Sequence, residues 1–153
     1  MLDPTHFRRH VVRPALALLD LWSESAEALL VGTALAESGL TWLAQRGGGP
    51  ALGVFQIEPA THDDIWANFL AYRRALRQRA EALIAPEPPR TRQLVTNLAY
   101  AAAMARIHYL RVPQPLPPAG DVDALGAYWK RHYNTRRGRG TVERFVEVFR
   151  RFA

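Results

Sequence analysis

Glu37 is followed directly by Ser38 and Gly39, and it closes a segment whose apolar face is Leu29, Leu30, Ala34 and Leu35. Ser23 is placed to cap a helix there, with Glu24 and Glu27 in its first turns and Gly39 as its stop. A carboxyl group in the last helical turn meets the partial negative charge of exposed carbonyls, and Leu35, Leu40 and Trp42 add an apolar wall. Both effects push its pKa upward. The chemistry this permits is general acid catalysis, in which a carboxyl still protonated near neutral pH hands its proton to a leaving group. A second carboxylate, Glu58, ends the segment from Leu52. If that segment is extended, Val54, Gln56 and Glu58 point one way while Phe55 and Ile57 point the other. Glu58 then shares a face with Gln56, and it is also placed to cap the helix entered through Pro59 and Thr61.

Several elements must position these groups. Phe7, Val11, Val12, Leu16 and Leu19 form one helical stripe, with Thr5 as its cap and a kink at Pro14. Gly47 to Pro50 cannot be helical, and Leu52 to Glu58 is the chain's one β signal, expected as a small hairpin. A long helix is expected from about His62 to Ile84, stopped by Pro86, Pro88 and Pro89. Thr91 is expected to cap the next, whose middle (Ala99, Ala101, Ala102, Ala103, Ala105) is small enough to be the central helix. After the proline-rich stretch Val112 to Gly120, Asp121 caps a helix bearing Leu125, Tyr128 and Trp129. The basic loop Thr135 to Gly140 follows, and Thr141 caps a last amphipathic helix with Val142, Phe145, Val148, Phe149 and Phe152 on its apolar side. The expected architecture is a mostly α, single domain over residues 1–153: helices around a central one, with a small β-hairpin beside a cleft.

Composition narrows the functional classes. The chain has 153 residues, 48% hydrophobic and 22% charged, which excludes a disordered chain and suffices for one core. It has no cysteine, which excludes disulfides, thiol nucleophiles and cysteine-ligated zinc. The formal charge is +6, and Lys130 is the only lysine among 20 cations. A positive field favours anionic partners in general. No helix carries an unbroken basic face with interleaved aromatics, which argues against nucleic acid. The longest apolar stretch, Ala28 to Ala36, is about half a bilayer span, so no membrane insertion is expected. Arg8, Arg9 and Arg13 ahead of Ala15 to Leu19 do not make a signal peptide, because Asp20 interrupts the apolar part and no cleavage site follows.

Glu37-Ser38-Gly39, the glycine-rich turn, Gly53-Val54-Phe55-Gln56 and Pro59-Ala60-Thr61 together resemble the active-site core of the lysozyme-like superfamily, nearest to soluble lytic transglycosylases and goose-type lysozymes. Ala127-Tyr128 and Tyr133-Asn134-Thr135 resemble that group's alanine-tyrosine-asparagine-alanine-glycine motif, with Thr135 in place of the alanine and the glycine displaced to Gly138. The stretch from Gly48 to Trp66 is similar to phage-encoded wall-degrading proteins. The resemblance implies a lysozyme-like fold and a peptidoglycan glycosidase cutting the β-1,4 bond between N-acetylmuramic acid and N-acetylglucosamine. Glu37 is then the general acid, Glu58 fills the slot of a water-placing carboxylate, and Ser38, Gln56, Tyr133 and Asn134 bind substrate. For Tyr133 and Asn134 a buried tyrosine with a turn asparagine is an equal reading. Glu58 tilts the expectation to hydrolysis, with the two carboxyls about 6.5 to 9.5 Å apart if the enzyme inverts. A lytic transglycosylase using Glu37 alone and forming 1,6-anhydromuramic acid is the alternative, and a non-catalytic phage structural or wall-binding protein is the rival of another class.

No metal or organic cofactor is expected. His6 and His10 stand at i, i+4 but lack a third ligand, and His62, Asp63 and Asp64 read as the acidic start of a helix. Trp66 and Tyr72 read as packing residues. Arg136, Arg137 and Arg139 either grip wall anions or form a solvated turn. The expected partners are peptidoglycan glycan strands and, in a phage setting, particle components. The expected course is synthesis in a host cytoplasm and action on the wall or in the periplasm.

Overall fold

The computed structural model describes residues 1–134 and 138–153 and is mostly helical. The chain enters through α1 (Pro4–Phe7), a wide π-type turn at Arg8–Val12 and α2 (Arg13–Leu18), which run on without a break in helical dihedrals. The cap is Asp3 rather than Thr5: its carboxylate accepts the His6 N–H at 2.9 Å, and Pro4 occupies the first helical position, where its missing N–H costs nothing. The wide turn precedes Pro14, so the helix loosens where proline would otherwise crowd the preceding turn.

Ser23 caps α3 (Glu24–Ser38) by accepting the Ala26 N–H at 3.0 Å, and Gly39, at φ 61°, ends it in the left-handed conformation, as the spacing predicts. Most of α3 is buried, Ala26 through Leu35 without a break. It lies beside α7 (Leu98–Leu110), whose small residues Ala101, Ala102, Ala103 and Ala105 are fully packed, so the alanine-rich helix is central as expected. The cap of α7 is Asn97, which accepts the Tyr100 N–H at 3.0 Å, and not Thr91. Thr91 lies in a 3-10 turn, Arg90–Arg92, that leads into the short α6 (Gln93–Thr96).

The single long helix expected from His62 to Ile84 is instead α4 (Pro59–Asn68), a 3-10 turn at Leu70–Tyr72, and α5 (Arg74–Glu81). Helical dihedrals fail at Phe69 and Arg73. The break allows the consecutive apolar residues Phe69 and Leu70 both to be buried, while Arg74 and Arg79 turn outward.

Asp121 caps α8 (Val122–Trp129), which widens into a second π-type turn, Lys130–Asn134; Thr141 caps α9 (Val142–Phe152). Phe145 of α9 seats against Gly32 of α3 so closely that a Cβ there would stand 2.3 Å from the ring. Its ring centroid is also 5.5 Å from that of Trp129, which fixes the indole against the end of α3.

The expected hairpin does not form, and no sheet is present among the described residues. Leu52 makes two isolated antiparallel bridges, to Ala44 and to Ile57. Between Leu52 and Ile57 the chain doubles back through Gly53 at φ 74° and Gln56 at φ 49°, so the segment is a closed turn. The in-and-out alternation is therefore lost: Val54, Phe55 and Ile57 are all buried, Gln56 is half-buried and Glu58 is exposed. No helix among the described residues is long and apolar enough to cross a membrane.

Candidate active site

The site gathers where the end of α3, the turn 53–56 and the π-type turn after α8 meet. Glu37 is half-buried on the last turn of α3. Its Oε1 accepts the Trp129 indole N–H at 2.9 Å and the Asn134 side-chain N–H at 3.4 Å. Lys130 Nζ donates to Asn134 Oδ1 at 2.8 Å and to the Gly138 carbonyl at 2.8 Å, which holds Asn134 toward Glu37. Burial pushes the Glu37 carboxyl above its ordinary range, while the two hydrogen bonds and the Lys130 charge pull the other way without cancelling it. Such a carboxyl is positioned by two hydrogen-bond donors and keeps its proton to higher pH than a solvated glutamate.

Ser38 is buried. Its hydroxyl lies 2.7 Å from the Val54 carbonyl and 3.1 Å from that of Ala34, so it joins the turn to α3 from within. On the other side of the turn the Tyr133 hydroxyl donates to the Phe55 carbonyl at 2.7 Å. Its ring stacks on Tyr109 with centroids 5.0 Å apart and meets His108 edge-on at 4.9 Å. Burial raises the Tyr133 phenol well above its usual range, and the Glu37 and Tyr109 oxygens add to this. Burial, then the Arg111 charge, lower the His108 imidazole to about 4. Tyr133 and His108 thus remain neutral around pH 7. Gln56 donates from Nε2 to the Gly53 carbonyl at 2.9 Å, which leaves its Oε1 as a free acceptor among the described residues.

Glu37, Ser38, Tyr133 and Asn134 are therefore tied to one another or to the turn that carries Gln56. Glu58 stands apart. It is exposed at the N-cap position of α4, its carbonyl accepts the His62 N–H at 3.0 Å, and its side chain makes no hydrogen bond or ion pair among the described residues. The Glu58 side chain does not cap α4, and the closed turn removes the extended face it was expected to share with Gln56.

Protein-family models, curated proteins and solved structures all lack a match to this chain. The functional reading accordingly rests on the residues themselves.

Trp129 and Lys130 are the site residues that the sequence did not single out. Their signal was the run Tyr128-Trp129-Lys130 just ahead of Tyr133-Asn134, with the chain's one lysine in it. Of the basic loop, Thr135, Arg136 and Arg137 lie outside the described residues. His6 and His10 are exposed, with ring centroids 5.5 Å apart, and no group of three or more metal-binding side chains occurs among the described residues.

Proposed function

We propose that this protein cleaves peptidoglycan glycan strands at the β-1,4 bond after N-acetylmuramic acid, with Glu37 as its one acid–base group, in the manner of a lytic transglycosylase. The observation that carries the reading is the half-buried Glu37 carboxyl, held by Trp129 and Asn134 beside the turn bearing Gln56. In the first step Glu37 gives its proton to the leaving oxygen as the bond to the muramoyl C1 breaks. The resulting carboxylate then takes the proton of the same sugar's C6 hydroxyl as that oxygen attacks C1. The product is a 1,6-anhydro ring, and Glu37 regains its proton.

No hydrogen bond or ion pair holds the Glu58 side chain among the described residues, which favours this course over an inverting hydrolysis, where a second carboxylate must be held in place to activate water. Mass spectrometry of muropeptides released from purified walls tests the assignment. Anhydromuramoyl ends are expected as the main new species; reducing ends would restore hydrolysis, and an intact polymer would point to a wall-binding protein without activity.

A further inference from the structure

A cleft of about 440 Å³ opens between α4, α5 and the 3-10 turn Arg90–Arg92, and none of its lining residues belongs to the Glu37 cluster. This volume lies in the range of small-ligand sites. Its floor is a fixed polar chain. The buried His62 makes hydrogen bonds to Asp63 Oδ1 at 2.9 Å and to the Tyr100 hydroxyl at 2.7 Å, and that same hydroxyl accepts the Trp66 indole N–H at 2.9 Å. With the tyrosine oxygen accepting from Trp66, its own proton goes to His62 Nε2, and His62 Nδ1–H goes to Asp63. The carboxylate–histidine–tyrosine order resembles a nucleophile relay, but Tyr100 is fully buried and burial raises its phenol far above neutrality, so this hydroxyl is out of reach of any substrate.

The rim is charged in both senses. The Arg90 guanidinium lies over the Trp66 ring at 4.1 Å and has no carboxylate partner among the described residues. A guanidinium stacked on an indole keeps its in-plane N–H groups available for a two-point bond to a carboxylate. Asp63 is exposed and uses only Oδ1 toward His62, and Glu81 is held at 3.7 Å from Arg77. Two cations and two carboxylates around one cleft disfavour a polyanion and match a ligand that carries both signs.

We infer that this cleft binds a zwitterionic amino-acid or short-peptide end, its carboxylate on Arg90 and its ammonium on the Asp63 and Glu81 side. The inference does not depend on the chemistry of Glu37. The test is a titration of the full-length protein with alanyl-alanine, followed by the NMR signal of the Trp66 indole N–H, assigned through Trp66→Phe. The parallel probes are N-acetyl-alanyl-alanine, alanyl-alanine amide and inorganic phosphate. Saturable movement of the Trp66 signal by the free dipeptide is expected, with each capped form at least about tenfold weaker, since a charge-assisted hydrogen bond contributes about that factor. Arg90→Gln, a change at an exposed position, should weaken the dipeptide by a similar factor, whereas Glu37→Gln should leave it unchanged. No movement with the free dipeptide, equal binding of the acetylated form or of phosphate, or an Arg90→Gln protein that binds as tightly would each overturn the inference.

Discussion

The Trp129 indole N–H donates to Glu37 Oε1 at 2.9 Å, joining the last turn of α3 to the last turn of α8. A fully buried ring with one rigid donor fixes both where the carboxyl lies and which oxygen is occupied. Phe145 fixes the ring in turn, so the orientation of the acid depends on how α9 seats against Gly32.

The Lys130 charge and the Asn134 hydrogen bond lower the Glu37 pKa against the larger effect of burial. Lys130→Met removes the charge and frees Asn134, and both changes raise that pKa. Because the protonated form is the active acid, the alkaline limb of the pH–activity profile should move to higher pH in this variant. A profile measured on purified walls checks this, and a limb displaced to lower pH would contradict the role given to Lys130.

Glu58 is exposed and unpaired among the described residues. Glu58→Gln should change wall cleavage by no more than about twofold, because its side chain is bonded to none of the groups that hold Glu37 and so leaves the barrier nearly unchanged. A loss of about 10²-fold or more would identify it as a catalytic base.

The spacing of apolar residues and caps made much of the helical frame legible, because those signals are local. Ser23 with Gly39, Asp121, and Thr141 each mark their helix within one turn of the place the sequence indicates. The closed turn at 53–56 is not legible locally because its conformation is imposed from afar. Ser38 and Tyr133 hold the Val54 and Phe55 carbonyls, and Gly53 packs so tightly that a Cβ would stand 1.9 Å from the Leu94 carbonyl oxygen. Extended propensity in a short run yields to such contacts. Glu37 could be singled out from its place at a helix end, but its partners Trp129 and Asn134 lie more than ninety residues away in sequence, where local pattern carries no information.

Glu27 links α3 to the entry helices: its carboxylate accepts Arg13 through both oxygens at 2.9 Å and the Trp22 indole N–H at 2.8 Å. Burial pushes its pKa up, but these bonds and the charges of Arg13 and Arg8 prevail and hold it below the ordinary value. The stability it contributes is therefore present above the ordinary carboxylate range and is lost as pH falls through the lowered value. Glu27→Gln should cost about 1–3 kcal/mol near neutral pH, as expected for a buried charged hydrogen-bond group, and should flatten the acid side of the stability curve. Denaturant unfolding at several pH values measures both effects, and a variant with the wild-type acid dependence would exclude Glu27 as the cause.

The central claim is that Glu37 supplies the proton for glycan cleavage. Glu37→Gln keeps the shape of the side chain and an acceptor oxygen for Trp129 but has no proton to give. The decisive measurement is the rate at which new muramoyl ends appear in purified peptidoglycan, comparing wild type with this variant at matched helical content and melting temperature. The account predicts cleavage by the wild type and a fall of about 10²- to 10⁴-fold in the variant. A variant that cleaves at more than about a tenth of the wild-type rate would show that the proton comes from elsewhere, and a folded wild type that releases no ends would remove the enzymatic reading.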